Sequence, residues 1–394
     1  MTGGWQQPTR VLYSAAEFAS WAAEQEPGTA TTLLVDARLT DSAITSLVAR
    51  ALGVHEVIPL DGPGEVDTVV DLADRLRHGP GRLVAAVGGG SLLDQAKLAT
   101  ALAGDRGVLS RLTAPQRSGL ILLPRHTSRP LSLLAVPTTL GTGSEVSQVA
   151  CLRTPQGKRL VAGRSLLPEL AVLDPLATST LPAELVVEGV LEALFRVAGV
   201  YAGDLRDRPV EDALALTIAG QLLNLGYRAA DDGGDDQVRG AIARLSALTQ
   251  CDWLQLDREP FALRGWYIAN ELSTSLGVRK MTAVAALLPS LFRRIAAGDR
   301  RLGSAERLER LWRGLRPAAP RPLPADPSAG IAALLEHWGV ERRLTAHPAD
   351  LGAIAQRTVR AWGAGLPALG ELTLGDVRAV LGDAVATTPG PEAG

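Results

Sequence analysis

The chain has 394 residues, of which 46% are apolar, and this length points to two domains, each with a substantial core. A net charge of −2 and a pI of about 6.3 leave no basic footprint for nucleic acid, and no apolar run reaches the roughly 18–20 residues that span a bilayer. Two cysteines, Cys151 and Cys251, are too few for a disulfide scaffold, and residues 1–7 lack the charged and apolar regions of a signal peptide, so a cytoplasmic protein is expected.

Residues 10–29 offer a short strand and an amphipathic helix around 15–21. The run Thr31-Thr32-Leu33-Leu34-Val35-Asp36 reads as a strand ending in an acid. In a dinucleotide fold such a carboxylate accepts from the ribose hydroxyls and repels a 2′-phosphate, so Asp36 favours NAD over NADP. The plain alternative for Asp36 is a cap on the following turn. A helix over 41–52, a strand over 54–59 and a helix over 66–78 continue the alternation, which gives an open, largely parallel sheet.

The next stretch is the densest in chemistry. Leu83-Val84-Ala85-Ala86-Val87 reads as a buried parallel strand, and Leu98-Ala99-Thr100-Ala101-Leu102 as part of a helix. Between them lie Gly88, Gly89, Gly90, Ser91, Asp94 and Lys97. Three glycines let the backbone turn sharply and approach a ligand without a Cβ in the way. Ser91 is spaced to cap the helix, with Asp94 three residues on completing a capping box. The exposed N–H groups and the positive end of the helix dipole then form an anion site, fitting a phosphate. A tight βα turn with no ligand is the alternative.

Residues 104–130 show no periodicity and read as an excursion containing His126. A second apolar strand, Leu133-Leu134-Ala135-Val136, runs into Pro137 and a loop of small hydroxyl-bearing residues, Thr138, Thr139, Thr142 and Ser144, suited to a ribose or pyrophosphate. Strands around 147–153 and 170–173 are expected to complete the first domain, with Lys158 in the hairpin between them. Lysine occurs only at 97, 158 and 280 among 40 basic residues, so each invites a question about its role, with coincidence as the alternative. From Pro182 the pattern turns helical, with segments near 209–227, 236–249, 260–276, 282–297, 304–315, 328–338, 348–362 and 374–384. The Pro-rich 316–324 reads as a stiff connector and 387–394 as a disordered tail. The expected domains are 1–178, 179–386 and that tail.

GGGSxxDxAK followed by PTTxGTGSE resembles the iron-containing (group III) alcohol dehydrogenase family, a relative of dehydroquinate synthase and glycerol dehydrogenase. The likeness continues through Gly157-Lys158, Pro168-Glu169-Leu170-Ala171-Val172-Leu173-Asp174-Pro175 and Leu181-Pro182. It covers roughly residues 30 to 300 and is strongest over 80–202. The resemblance implies an α/β dinucleotide-binding domain, Rossmann-like and dehydroquinate synthase-like, followed by an all-α domain, with the active site in the cleft between them. It also implies NAD or NADP as cofactor, with Lys158 near it, and often a dimer.

Members of that family hold Fe²⁺ or Zn²⁺ with an Asp and three His. Carried over without a gap between Leu181-Pro182 and Tyr201, the first two ligand positions fall on Glu192 and Arg196. Glu192 can ligate; Arg196 has no lone pair to offer. Anchoring on Ala285-Ala286-Leu287-Leu288-Pro289 puts Lys280 at the last His, with the earlier His near Asn270 and a further family His near Thr274. No histidine occurs between His126 and His337. No catalytic metal is therefore expected, and Glu192, Arg196 and Lys280 are expected to form a salt-bridged cluster instead, the alternative for Glu192 and Arg196 being a solvated i,i+4 bridge on the helix surface.

The expected activity is NAD(P)-dependent interconversion of an alcohol and a carbonyl by hydride transfer, with Lys280 or Arg196 polarising the oxygen and Glu192 beside them. Two rivals stand. One is a catalytically inactive nucleotide-binding pseudoenzyme serving as a partner subunit. The other is a dehydroquinate synthase-like cyclase, because the GxxEAxxR run from 189 to 196 resembles that family's GxxExxK segment. The Arg-rich composition suits a high-GC bacterium, where divergent relatives tailor natural products, daptide-type peptides among them. The expected partners are a small-molecule or peptide substrate and a second copy or a pathway protein, with neither nucleic acid nor membrane.

Overall fold

Short apolar runs that alternate with helices build the first unit of the chain as a parallel sheet covered on both faces. The computed structural model describes residues 7–26, 29–114, 118–127, 129–155, 157–251, 254, 258–259, 261–363 and 366–387. They fall into two units, Met1–Gly189 with Gly234–Asp252, and Val190–Gly233 with Trp253–Gly394.

In the first unit the elements run β1 (Arg10–Leu12), α1 (Ala15–Ala23), β2 (Thr31–Asp36), α2 (Ala43–Leu52), β3 (Glu56–Leu60), α3 (Val66–His78), β4 (Leu83–Gly88), α4 (Gly90–Gly104), α5 (Gly107–Thr113), β5 (Leu120–Leu122), β6 (Ser132–Pro137), β7 (Val149–Thr154), β8 (Gly157–Ala162) and β9 (Leu170–Val172). The main sheet has the order β1-β9-β6-β4-β2-β3, with every neighbour parallel. Leu34, Val84, Ala86, Leu133 and Ala135 face a core shared with the apolar side chains of α3 and α4. Leu33, Val35, Ala85, Val87, Leu134 and Val136 face the opposite core with Phe18, Ile44 and Val48. Burial on both faces explains why these strands are apolar without alternation.

The excursion expected over 104–130 holds structure of its own: α5, and β5, which pairs in parallel with β8. The strand expected near 147–153 is β7, and it pairs antiparallel with β8 in a separate three-stranded sheet, not in the main one. Lys158 lies in β8 opposite Arg153, just past the turn.

The division differs from the expected boundary at 178. Residues 179–189 stay with the sheet, and so does α8 (Asp236–Leu248), which follows α6 (Ala183–Gly203) and α7 (Pro209–Asp232) in the chain. The reason is packing at long range. Ala247 joins Val146, Ala171 and Leu173 in one apolar cluster, and Arg239 of α8 donates to the carbonyls of Thr178 and Leu181.

The second unit is helical, with α9 (Arg264–Leu276), α10 (Lys280–Ala296), α11 (Ala305–Leu315), α12 (Pro327–His337), α13 (Pro348–Thr358) and α14 (Leu374–Ala384) after α7. Asp212, near the start of α7, is buried and accepts from Arg307 at 2.6 and 2.8 Å and from Arg258 at 2.9 Å, a charge network inside the bundle. The connector at 316–324 begins as a 3₁₀ turn over Arg316–Ala318, and the Pro324 carbonyl accepts from the indole of Trp312 at 2.9 Å. The helix expected to reach 362 ends at Thr358 and continues as a π-helical turn over Val359–Gly363. Thr387, expected in the tail, pairs with Ala346 in a two-residue parallel ladder; 388–394 lie outside the described residues. Among the described residues no helix is long and apolar enough to cross a membrane.

Candidate active site

The order of the sheet reverses around β2, with β3 added on one side and β4 on the other. In open parallel sheets the crevice outside the carboxyl ends of strands at such a reversal is where ligands bind. Val35 of β2 is in register with Val87 of β4, so Asp36 and Gly88 end adjacent strands at that edge. Asp36 is half-buried, and its Oδ1 accepts the amide of Arg38 at 3.0 Å. The carboxylate therefore caps the turn that follows, at the end of a strand beside the glycine turn.

Helix α4 starts earlier than the expected cap. Gly89 is its N-cap, with extended backbone (φ −71°, ψ 176°), which puts Ser91 inside the first turn with its side chain exposed. Asp94 is turned away from the cap position and buried. The capping box expected from Ser91 and Asp94 is thus absent. The reason is that a hydroxyl remote in sequence does the work: Thr139 Oγ1 accepts the Gly90 amide at 3.3 Å. Nor do the three glycines serve a left-handed turn, since none has positive φ. A Cβ on Gly88 would come within 2.8 Å of Leu92, one on Gly89 within 3.0 Å of Thr139, and one on Gly90 within 2.9 Å of Thr142. Gly89 and Gly90 let the second motif lie directly on the first, while Gly88 makes room for Leu92 of the helix that follows it.

Beneath this turn Asp94, Ser144 and Lys97 form a buried network. The Ser144 hydroxyl donates to Asp94 Oδ1 at 2.6 Å, and Asp94 Oδ2 accepts the Cys151 amide at 2.9 Å. Lys97, with no exposed surface, donates to Ser144 Oγ and to the Val149 carbonyl, each at 2.8 Å, and lies 3.6 Å from Asp94. Burial pushes the Lys97 ammonium below the ordinary lysine range, against the upward pull of Asp94 and Glu145. In the loop above, Thr138 donates its amide to the Gly88 carbonyl at 3.0 Å, and Gln250 Nε2 reaches the Thr142 carbonyl at 2.9 Å. Gly141 and Gly143 adopt positive φ, 91° and 61°, and a Cβ on Gly141 would sit 2.3 Å from the Gly189 carbonyl oxygen. A small hollow at the carboxyl ends of β6 and β9 is lined by Thr139, Gly141, Glu145, Asp174, Arg239 and Ser246. The Ser246 hydroxyl is buried there with no hydrogen-bond partner among the described residues. Helix terminus, acid, hydroxyl loop and orphan hydroxyl together fit a nicotinamide dinucleotide.

The second unit gathers the other candidates. Glu192 and Arg196 are one turn apart on α6, with Oε1 and Nη2 at 3.5 Å, and Arg196 is buried. Lys280 opens α10, and its Nζ lies 3.4 Å from the centre of the Trp266 ring. The Arg196 guanidinium carbon lies 6.0 Å from the same ring, which also stacks on Phe195 at 5.6 Å. Of the salt-bridged cluster expected of Glu192, Arg196 and Lys280, the ion pair between Glu192 and Arg196 is present, while Lys280 meets Arg196 at an indole that sequence reasoning did not single out. Spacing was the available signal: Trp266 is four residues before Asn270, on the same face of α9.

Asn270 and Thr274, near the other two family positions, differ from each other. Thr274 is exposed and donates its hydroxyl to the Asn270 carbonyl at 2.7 Å. Asn270 is 2% exposed, and neither of its side-chain amide atoms has a hydrogen-bond partner among the described residues. These residues do not fit a dication. Two positions carry permanent or ordinary cations, and among the described residues no three His, Cys, Asp or Glu side chains come together to hold a metal.

Residues 8–175 match the family model for iron-containing alcohol dehydrogenases. Over 333 residues the chain is 28% identical to a probable alcohol dehydrogenase, EutG, of Salmonella typhimurium, covering 82% of this chain and 77% of that one. It is 26% identical over 312 residues to the NADPH-dependent aldehyde reductase YqhD of Escherichia coli, covering 77% and 79%. The crystal structure of NADH-dependent butanol dehydrogenase A from Thermotoga maritima shares the fold, with a TM-score of 0.78 over 97% of this chain and 98% of that one at 17% identity.

Proposed function

We propose that this chain, whose family match and relatives support membership of the iron-containing alcohol dehydrogenases, is an oxidoreductase that interconverts an alcohol and a carbonyl without that family's metal. The observation that carries the reading is the pair of cations, Arg196 and Lys280, on one indole at positions where the family resemblance expects metal ligands.

In this reading the α4 terminus, Gly88 to Ser91, and the loop hydroxyls of Thr138, Thr139 and Thr142 receive the pyrophosphate and riboses. Asp36 accepts from the adenosine ribose and favours NAD, with Lys158 nearby. Asp94, Lys97 and Ser144 hold the two motifs together from beneath. When bound, the nicotinamide supplies the hydride chemistry. Lys280 and Arg196 stabilise negative charge developing on the substrate oxygen, the service that a Lewis acid otherwise gives. Glu192 keeps Arg196 oriented. The substrate is a hydroxyl-bearing small molecule or peptide, and the setting is natural-product tailoring.

Calorimetric titration of metal-analysed protein with NADH, then NADPH, tests the reading. Micromolar binding without stoichiometric metal is expected, with NADH the tighter. Binding of neither nucleotide, or binding that requires stoichiometric metal, overturns it.

A further inference from the structure

We infer that Asn270 is a specificity residue that holds a place for a neutral ligand group able both to donate and to accept a hydrogen bond, a hydroxyl or a carboxamide. The inference rests on the proposed oxidoreductase reading for the identity of the site, but its central observation is independent of that reading. A primary amide offers two donors and an acceptor, and a buried one left unmatched is a standing cost to the fold. Here the residue is 2% exposed, and both Nδ2 and Oδ1 lack partners among the described residues. The two nearest hydroxyls in sequence do not help: Ser273 and Thr274 both donate to the Asn270 main-chain carbonyl, at 3.1 and 2.7 Å.

The surroundings say what kind of group it waits for. One turn earlier on the same face of α9 lies Trp266, with Lys280 over its ring and Arg196 beside it. The cations select oxygen that is negative or becoming so. The amide discriminates differently. Its Nδ2 hydrogens suit any oxygen, while Oδ1 demands a proton in return, which a hydroxyl or an amide N–H supplies and a carboxylate does not. Sites built to hydrogen-bond a group reject analogues lacking it far more strongly than apolar pockets reject an extra methylene.

The test compares the full-length wild type with Asn270→Leu and Asn270→Asp, using unfolding midpoints and NADH titration. Without ligand, Asn270→Leu is expected to unfold about 2 °C higher than wild type, because it replaces two unmatched polar atoms with apolar ones on the same branched skeleton. NADH is expected to bind all three proteins alike. With NADH present, 1-propanol or propionamide is expected to raise the midpoint of wild type and not that of Asn270→Leu, the responding probe telling hydroxyl from amide. An Asn270→Leu midpoint below wild type overturns the inference, since the amide then has a structural partner. So does an equal response of both proteins to both probes. Failure of every protein to bind NADH would instead strike the oxidoreductase reading and leave the ligand-free midpoint to judge Asn270.

Discussion

Lys97 and Lys280 carry the same ammonium into unlike settings, one in each unit of the chain. Lys97 is wholly buried and faces three oxygens, from Ser144, Val149 and Asp94. Two of those partners, Ser144 and Val149, lie about fifty residues away, so it ties the glycine turn of α4 to the GTGSE loop. Lys280 is half-buried at the start of α10 and sits on the face of an indole. An aromatic face attracts a cation through its quadrupole, without a directional acceptor. The first arrangement is that of a fastening; the second holds the ammonium proposed to meet the substrate oxygen.

The largest effect expected of that contrast is on stability at Lys97. Lys97→Met leaves Asp94 buried without its nearest cation, and removing one partner of a buried pair typically costs about 3–5 kcal/mol. Urea unfolding measures it, and a cost below about 1 kcal/mol would mean that the network is not what joins the motifs. A pH series sharpens the point. Because burial holds the folded-state pKa of Lys97 low, the unfolded chain binds more protons at alkaline pH. The group therefore contributes stability in full above the ordinary lysine value and loses it as pH falls through the folded value. Wild type is expected to gain stability over that alkaline window relative to Lys97→Met.

Lys280→Met should show the converse. Losing a cation–π contact at a half-buried site costs about 1 kcal/mol of stability. Removing a donor that stabilises oxyanion charge costs about 10²–10³ in turnover. Rates of NADH formation over a panel of alcohols, alongside unfolding midpoints, separate the two. Full turnover by Lys280→Met would remove it from the chemistry and leave Arg196 as the polarising group.

Local pattern carried most of the fold. Strand β2, helix α3 and helix α14 end where their apolar periodicity and caps end, because burial on a sheet face or helix stripe is written in neighbouring residues. What the sequence hid was destination. The helical pattern of α8 is plain, yet nothing in it tells that Ala247 packs against Leu173 and not within the helical unit. The start of α4 depends on Thr139, 49 residues on, and Asp94 finds its partner 50 residues on, so a capping box that reads well locally is overruled. At the candidate site the motif glycines and threonines were legible. Trp266 was not, because an aromatic on an amphipathic helix looks like core until its cations are placed.

The smallest effect concerns Asp36, where cap and cofactor roles overlap in one carboxylate. Alanine would confound them, since losing the bond to the Arg38 amide costs about 1 kcal/mol by itself. The substitution Asp36→Asn avoids that, because it keeps an oxygen for the amide and removes only the charge that a 2′-phosphate would meet. Unfolding midpoints should stay within about 1 °C of wild type, since the cap survives. The ratio of NADPH to NADH dissociation constants should fall about tenfold, the size expected for relieving one like-charge contact of about 1.4 kcal/mol. An unchanged ratio with an unchanged midpoint would leave Asp36 as a turn cap alone, and nucleotide preference would then have to be sought in the loop hydroxyls around Thr139.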